Sequence, residues 1–259
     1  MDIKPLKRFG QNYLTDPNIL NKIVAEISPQ EDENLIEIGP GKGALTVKLT
    51  EKIQSFTAIE IDKRVYEDLS EKFPGLNLVQ DDFLDINLQE LYSIKNKKLR
   101  VVGNIPYNIT SPILFKMIEN NNLVEDSVLM VQYEVAKRIT GKKGTKDYGI
   151  LSVLLNFFTD VKLCFKVSPH SFYPKPNVDS AVVHLFFKNI DLTGEMKSLF
   201  IKVVKASFGN RRKTLKNSLS NSIFKNIDFK NSGTDLTKRA EQLDIKHFLN
   251  LAEFIKKQS

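Results

Sequence analysis

The stretch that decides the fold is Leu35-Ile36-Glu37-Ile38-Gly39-Pro40-Gly41-Lys42-Gly43. It joins a short apolar run of strand type to a tight glycine turn, and residues 44–53 then follow a helical pattern. Glycine lets the backbone approach a ligand closely, and the start of a helix attracts anionic groups. The order of strand, glycine turn and helix therefore predicts an α/β unit that binds a nucleotide-like ligand at the turn.

Strand and helix patterns continue to alternate after this stretch. Further strands are predicted over 56–61, 76–79, 99–103, 128–132, 161–167 and 178–187, and helices over 63–73 and 112–120. Before the stretch, Asp16 is predicted to cap a helix that begins at Pro17. Strands that alternate with helices run parallel in one sheet, so the sequence predicts a doubly wound α/β fold.

Four residues fall at the carboxyl ends of predicted strands: Gly39, Glu60, Asp81 and Asn104. Ligands of doubly wound sheets bind at this edge. Glu60 follows Gly39 by 21 residues, close to the spacing of about 20 expected for an acid that binds ribose hydroxyls. These features suit a nicotinamide dinucleotide or S-adenosylmethionine. Asp81 favours the second, because its carboxylate can accept a hydrogen bond from an adenine amino group.

The fourth predicted strand runs directly into Asn104-Ile105-Pro106-Tyr107-Asn108. The Asn104 amide oxygen can accept a hydrogen bond from an amine, Pro106 restricts the backbone, and Tyr107 offers a flat face. The alternative is an ordinary turn after a strand. A pocket with these groups suits a planar base that carries an exocyclic amino group. A hydride-transfer enzyme has no evident use for it, which also favours the methyl donor.

The 259 residues are 41% hydrophobic and 27% charged, enough for a large core. There is no long apolar run and no signal-peptide pattern over 1–20, so a cytoplasmic protein with no membrane partner is expected. The three histidines lie far apart in the sequence, and we expect no metal site. Nothing in the sequence indicates an obligate dimer, so a monomer is expected.

The net charge of +7 is concentrated at one end of the chain. Residues 190–259 contain 14 Lys/Arg and 7 Asp/Glu, whereas residues 1–189 contain 24 of each. The strand–helix alternation ends near 189, so we predict an α/β domain over 1–189 and a small basic helical domain over 190–259. Nucleic acid is the expected partner. Candidate phosphate contacts are Arg211, Arg212 and Lys213, with Lys142 and Lys143 in a basic loop expected to be mobile.

Several segments resemble the ribosomal RNA adenine N6-dimethyltransferases. They are Phe9–Leu14, Glu37–Gly43, Asn104–Asn108 and Phe172–Ser180. Within that family, Phe9–Asn12, Gly39–Gly41 and Arg211–Leu215 look like the KsgA type, which dimethylates two adjacent adenosines near the 3′ end of 16S ribosomal RNA during small-subunit maturation. The resemblance implies a Rossmann-like methyltransferase sheet with a small C-terminal helical domain, S-adenosylmethionine as cofactor, and the small-subunit RNA or its 30S precursor as partner.

Matched by position, the resemblance also implies the site residues. The cofactor site would comprise Asn12, Leu14, Gly39, Gly41, Glu60, Asp81 and Asn104, with Glu60 on the ribose and Asp81 on the adenine amine. Asn104, with the main-chain carbonyl of Ile105 or Pro106, would accept the target N6 amine. Tyr107 and Phe172 would clamp the target adenine by stacking.

Two other functions stay open at this point. Ile105 is the residue expected of the sister Erm type, which methylates adenine in 23S ribosomal RNA and gives macrolide resistance. The second alternative is a ribosome-assembly or transcription factor that keeps the fold without turnover. The presence of Glu60, Asp81, Asn104 and Tyr107 argues against that last alternative.

Overall fold

The computed structural model describes residues 4–6 and 10–258. The basic N-terminal residues 7–9, which include Phe9 of the first resembling segment, lie outside the described residues. The strands are β1 (Tyr13–Leu14), β2 (Asn34–Ile38), β3 (Thr57–Ile59), β4 (Asn77–Val79), β5 (Leu99–Asn104), β6 (Val124–Gln132), β7 (Thr159–Val167), β8 (Phe172–Tyr173) and β9 (Ser180–Phe187). The helices are α1 (Pro17–Ile27), α2 (Ala44–Thr50), α3 (Lys63–Lys72), α4 (Leu88–Lys95), α5 (Thr110–Glu119), α6 (Tyr133–Ile139), α7 (Ile150–Phe158), α8 (Gly194–Ser207), α9 (Leu215–Ser220) and α10 (Ile245–Lys256).

A seven-stranded sheet in the order β4-β3-β2-β5-β6-β9-β7 forms the centre of the fold. The four neighbouring pairs β4–β3, β3–β2, β2–β5 and β5–β6 are parallel, as the sequence predicts. Strand β9 instead pairs antiparallel with β6, from Asp126 opposite Phe186 to Gln132 opposite Ser180. The α/β class is confirmed, with a sheet that is mostly rather than wholly parallel.

The strand order reverses between β2 and β5, which are adjacent although helices and two strands separate them in sequence. Doubly wound sheets bind ligands in the crevice that opens at such a reversal. Gly103, near the end of β5, lies against β2 so closely that a β-carbon there would overlap the carbonyl oxygen of Ile38. Glycine at this position lets the two strand ends approach and sets the width of the crevice.

Helix α1 begins and ends as its sequence predicts. The Asp16 carboxylate accepts hydrogen bonds from the main-chain N–H groups of Asn18 and Ile19 at 2.9 and 3.3 Å, which satisfies donors at the helix start that have no partner within the helix. The apolar face of the helix, formed by Leu20, Ile23, Val24 and Ile27, is buried.

A two-stranded ribbon outside the main sheet joins distant parts of the chain. Strand β1 pairs antiparallel with β8, with Tyr13 opposite Tyr173 and Leu14 opposite Phe172. Residues directly opposite in such a pair lie on the same face of the ribbon. Leu14 and Phe172 are both buried in one hydrophobic cluster with residues of α1 and the sheet. The ribbon therefore fixes the segment that precedes α1 against α1 and the main sheet.

The chain forms two compact units, one of residues 1–136 and 161–188 and the other of residues 137–160 and 189–259. The predicted domains were 1–189 and 190–259, so the structure assigns 137–160, including α7, to the unit of the C-terminal helices. In this second unit Phe157, Phe158 and Phe200 form a cluster of ring contacts, with centroids 4.7–6.2 Å apart. The apolar run of α7 contributes part of that core.

Candidate active site

A cavity of about 290 Å³ opens in the first compact unit, beyond the carboxyl ends of the parallel strands. Nine of the residues predicted for the cofactor and the target base line it: Asn12, Leu14, Gly39, Gly41, Glu60, Asp81, Asn104, Pro106 and Tyr107. They come from β1 and the residue before it, from the segments that follow β2, β3 and β4, and from the end of β5 and the residues after it. The strand ends that the sequence singled out therefore converge on one cavity, and the roles assigned to individual residues stay predictions.

The glycine turn after β2 has a backbone that only glycine adopts readily. Gly39, Gly41 and Gly43 have φ angles of +63°, +55° and +80°, a region that strains other L-residues. Among the described residues, no atom lies within 4 Å of a β-carbon built on Gly39, whereas a β-carbon built on Gly41 would lie 2.9 Å from the Tyr13 ring. The turn thus presents open main chain at Gly39 and packs tightly against Tyr13 at Gly41.

Two carboxylates occupy the next strand ends. Glu60 is buried and accepts hydrogen bonds from the main-chain N–H groups of Gly41 at 3.2 Å and Asp62 at 2.8 Å. Burial raises the pKa of Glu60, while these hydrogen bonds oppose the increase. Asp81 is exposed, and its Oδ1 accepts a hydrogen bond from the Asp82 N–H at 2.8 Å. The pair offers one buried and one exposed carboxylate along the cavity.

Glu37 is a third carboxyl group of the cavity, and the sequence reasoning missed it. It is buried at the end of β2, and the Thr46 hydroxyl donates to its Oε2 at 2.8 Å. The pKa of Glu37 is raised to about 8, mainly by burial; the Thr46 hydrogen bond opposes the increase and the neighbouring Glu60 adds to it. The sequence did offer a signal for this site residue: Glu37 is a charged residue in a mostly apolar strand, two residues before the glycine turn.

The raised pKa of Glu37 makes stability depend on pH. Between the ordinary value of 4.5 and about 8, the folded chain holds a proton that the unfolded chain has released. The free energy of unfolding should therefore fall by up to about 1.4 kcal/mol per pH unit as pH rises through that range. Glu37→Gln should reduce this slope, as measured by urea unfolding at several pH values, whereas Glu51→Gln, at an exposed position paired with Lys48, should not. Equal slopes in the wild type and Glu37→Gln would contradict the assignment.

The Asn104 side chain has a defined orientation. Its Nδ2 donates to the main-chain carbonyl of Asn12 at 2.8 Å. A carbonyl oxygen only accepts hydrogen bonds, so the amide nitrogen must face Asn12 and Oδ1 must face the other way. Among the described residues, Oδ1 has no hydrogen-bond partner. An amide acceptor is therefore held in place at the cavity, 92 positions along the chain from the residue that orients it.

Pro106 and Tyr107 continue the cavity wall after Asn104. The Pro106 carbonyl already accepts from the Ile109 N–H at 3.2 Å and lies 3.4 Å from the Thr110 hydroxyl. Tyr107 is partly buried, and its hydroxyl lies 2.6 Å from Ser180 Oγ. Burial raises the pKa of Tyr107, so the phenol remains neutral and its ring forms an uncharged face of the cavity.

Phe172 does not belong to this wall. It is only 5% exposed, packs in the hydrophobic cluster that contains Leu14, and does not line the cavity. The exposed ring of β8 is that of Tyr173, at 62%, because successive side chains of a strand point in opposite directions. The predicted clamp between Tyr107 and Phe172 is therefore not formed in this structure. Loop residues with aromatic side chains give no sequence signal for which ring faces inward.

Tyr13 carries a buried hydroxyl that has no hydrogen-bond partner among the described residues. A buried polar group without a partner is destabilising. Tyr13→Phe should therefore raise the free energy of unfolding by about 1 kcal/mol in denaturant unfolding. Tyr148→Phe is the matched control, because the Tyr148 hydroxyl donates to the Leu243 carbonyl at 3.0 Å and its removal should lower stability. A loss of stability in Tyr13→Phe would mean that this hydroxyl is satisfied in solution.

The five predicted phosphate contacts lie on the second unit and fall into two groups. Arg211 donates to the carbonyls of Lys146 and Tyr148 at 2.7 and 3.1 Å, and Lys143 forms a 2.8 Å ion pair with Asp244. The Gly144 N–H also donates to the Glu241 carbonyl at 2.9 Å, so the loop expected to be mobile is tied to its own unit. The other three predicted contacts have exposed side chains with no such partner in the described part of the chain: Lys142, Arg212 and Lys213.

Residues 4–6 and 10–258 contain no group of three or more His, Cys, Asp or Glu side chains that could hold a metal ion. None of the helices in the same residues is long and apolar enough to cross a membrane.

Comparison with known proteins identifies the family. The model of the family described as ribosomal RNA adenine dimethylase matches residues 4–257. The chain belongs to this family. A protein of Chlorobium phaeobacteroides (strain BS1) named ribosomal RNA small subunit methyltransferase A is 44% identical over 254 residues, which cover 96% of this chain and 93% of that protein. A protein of the same name from Francisella tularensis subsp. novicida is 39% identical, covering 97% and 98% of the two chains.

Solved structures agree with the ribosomal RNA adenine dimethylase fold. A dimethyladenosine transferase from Plasmodium falciparum matches with a TM-score of 0.77 and 27% identity, covering 95% of this chain and 98% of the other. The 23S rRNA methyltransferase ErmE matches with a TM-score of 0.68 and 26% identity, covering 95% and 100%. The predicted family, the Rossmann-like methyltransferase fold and S-adenosylmethionine as cofactor are confirmed. The chain is an enzyme of the ribosomal RNA adenine dimethylase family.

Proposed function

We propose that the protein transfers methyl groups from S-adenosylmethionine to N6 of two adjacent adenosines near the 3′ end of 16S ribosomal RNA, and that it acts during maturation of the small subunit. The relatives at 39–46% identity that are named small subunit methyltransferase A support the choice of subunit. ErmE, which is named a 23S rRNA methyltransferase, is 26% identical to this chain. The sequence predictions of a cytoplasmic location and a monomer stay predictions.

The observation that carries the proposal is the orientation of Asn104. Its amide oxygen has no partner of its own among the described residues, while its amide nitrogen is fixed on the Asn12 carbonyl. An acceptor held in advance of substrate binding costs no reorganisation when an amine arrives. Because the Pro106 carbonyl already accepts the Ile109 N–H, the carbonyl of Ile105 is the better candidate for the second acceptor.

The cavity has the groups that S-adenosylmethionine requires. Gly39 offers open main chain, Glu60 is a buried carboxylate for the ribose hydroxyls, and Asp81 is an exposed carboxylate for the adenine amine. Besides Glu37, which holds its proton up to a pH of about 8, three acidic side chains line the cavity, Glu60, Asp81 and Asp82, with Lys42 as a cation beside them. An acidic lining suits a ligand whose sulfur is positively charged. When bound, the cofactor supplies a methyl group attached to a positively charged sulfur. That sulfur is a good leaving group, because it departs as a neutral thioether.

Hydrogen-bond acceptors and the aromatic ring of Tyr107 activate and orient the target amine. An adenine amine is a weak nucleophile, because its lone pair is delocalised into the ring. Two acceptors, Asn104 Oδ1 and a main-chain carbonyl, hold its two N–H bonds and favour a pyramidal nitrogen, which resembles the transition state more than the planar ground state. Tyr107 stacks on the base and orients it, an interaction worth roughly 1–3 kcal/mol. The nitrogen becomes positively charged when it accepts the methyl group and then loses a proton readily to solvent, so no strong base is required in this scheme.

The subunit choice is tested with the two kinds of ribosomal particle. Small-subunit particles lacking the modification and unmodified 23S RNA are offered together with labelled S-adenosylmethionine, and the product nucleosides are mapped by mass. We expect dimethyladenosine at two adjacent positions of 16S RNA. Label confined to 23S RNA would support the Erm type instead, and an absence of label in either RNA, with intact cofactor binding, would support a factor without turnover.

The proposed phosphate contacts of the second unit predict how the affinity for RNA depends on salt concentration. Replacing Lys142, Arg212 and Lys213 with Gln should flatten the salt dependence of RNA binding by about one unit of slope for each residue that contacts a phosphate. Replacing Lys48, Lys52 and Lys97, which belong to the first unit, removes equal charge and should leave the slope nearly unchanged. Arg211→Gln should mainly lower stability, because its guanidinium holds two carbonyls. Equal slopes for the two triple variants would exclude the assigned contacts.

A further inference from the structure

Ser180 and Tyr107 form a pair of hydroxyl groups behind the cavity wall. Tyr107 OH lies 2.6 Å from Ser180 Oγ, and Ser180 has no exposed surface. Tyr107 lines the cavity, whereas Ser180 does not. The serine therefore cannot touch a ligand directly in this structure, and any effect that it has on the reaction acts through the tyrosine.

The two partners differ in how firmly the fold holds them. Ser180 is the first residue of β9 and pairs with Gln132, the last residue of β6. The adjacent peptide is also fixed, because the Tyr133 N–H donates to the Asp179 carbonyl at 2.9 Å. Tyr107, in contrast, begins a single turn of 3₁₀ helix outside the sheet. A hydrogen bond between them connects a loop side chain to the rigid strand framework.

We propose that Ser180 is a positioning residue for methyl transfer: its hydroxyl fixes the plane of the Tyr107 ring against which the target adenine stacks. The inference rests on the proposed function and extends it to a residue outside the cavity. A stacking wall contributes to rate only if its plane matches the base when the amine faces the methyl donor. Without the anchor, the Tyr107 ring has other rotamers available, and a smaller fraction of bound adenines is aligned.

The first test is Ser180→Ala, with Ser127→Ala as the matched control. Ser127 is also fully buried in the same sheet, on β6, but its hydroxyl has no hydrogen-bond partner among the described residues. We expect Ser180→Ala to lower kcat for methyl transfer by about 3- to 10-fold, the usual worth of one hydrogen bond, with little change in the Kd for S-adenosylmethionine. Ser127→Ala should match the wild type. Equal rates for the two variants would overturn the proposal.

A double-mutant cycle and a fluorescent base separate positioning from general loss of structure. Tyr107→Phe removes the same hydrogen bond from the other side, so the double variant should be no slower than the slower single variant. RNA carrying 2-aminopurine at the target position reports stacking directly, and its fluorescence in the complex should be higher with Ser180→Ala than with the wild type. Multiplicative rate losses or unchanged fluorescence would overturn the role. A wild type inactive on small-subunit RNA would refute the proposed function itself, which is a different outcome.

Discussion

Asn104→Ala should reduce the rate of methyl transfer by about 100- to 1,000-fold, the loss typical of removing one preorganised hydrogen-bonding group from an active site. The variant lacks the amide oxygen that accepts the target N6 amine, so the nitrogen lone pair is no longer directed at the donor. The cofactor cavity is otherwise lined by Glu60, Asp81 and the glycine turn. The Kd for S-adenosylmethionine should therefore rise only moderately. Single-turnover rates and calorimetric titration measure the two effects separately.

Two comparison variants sharpen this prediction. Asn77→Ala is the control, because Asn77 lies in the same sheet, donates to Thr57 Oγ1 at 2.9 Å and does not line the cavity; it should retain the wild-type rate. Asn104→Asp keeps an acceptor but loses the donor to the Asn12 carbonyl, so it should also be slow. Near-normal turnover by Asn104→Ala would refute the role of this amide.

Glu60→Gln should weaken S-adenosylmethionine binding by about 10- to 100-fold, because hydrogen bonds to a charged group are each worth about 1.5–3 kcal/mol. The wild-type carboxylate accepts from the Gly41 and Asp62 N–H groups and retains lone pairs for ribose hydroxyls. The amide of glutamine brings an NH₂ group to a site surrounded by donors. The loss should appear in the Kd measured by calorimetry as well as in the rate at low cofactor concentration.

The control for this change is Glu67→Gln. Glu67 is exposed on α3 and forms a 3.7 Å ion pair with Lys63, so the substitution removes the same charge outside the cavity. We expect its cofactor affinity to equal that of the wild type. If Glu60→Gln bound S-adenosylmethionine as tightly as Glu67→Gln, Glu60 would be a structural acid of the glycine turn and not part of the cofactor site.

Features with a local cause were predictable from the sequence. The cap at Asp16 is one example, because its carboxylate bonds to main-chain N–H groups two and three residues away. The glycine turn is another, since three positive φ angles fall on glycines within five residues. The strand ends at Glu60 and Asp81 followed from the alternation of strands and helices. The convergence of these ends in one cavity follows from parallel topology alone.

Features that depend on distant parts of the chain were not predictable. Residues 150–158 are mostly apolar, with Ser152 and Asn156 as the polar exceptions, and periodicity does not distinguish a buried helix from a strand in such a run. They form α7, a helix that the sequence reasoning missed. The two-residue strands β1 and β8 pair across more than 150 positions, with no local pattern to indicate it. The hydrogen bonds Asn12–Asn104 and Tyr107–Ser180 also join distant positions, so no local pattern in the sequence indicates them.

Methyl transfer in the proposed way requires that one crevice receive both the methyl donor and the adenine. Hydrogen-exchange mass spectrometry of the full chain tests this directly. With S-adenosylmethionine, we expect slower exchange of main-chain amides in 39–43, 60–62 and 81–83, which line the cavity or adjoin its lining. In this cofactor step, α8 and its neighbours serve as the internal reference, and their amide exchange should not change. Addition of small-subunit RNA should extend the protection to 104–109. Cofactor-dependent protection that spares the glycine turn and the ends of β3 and β4 would contradict the assignment of this crevice.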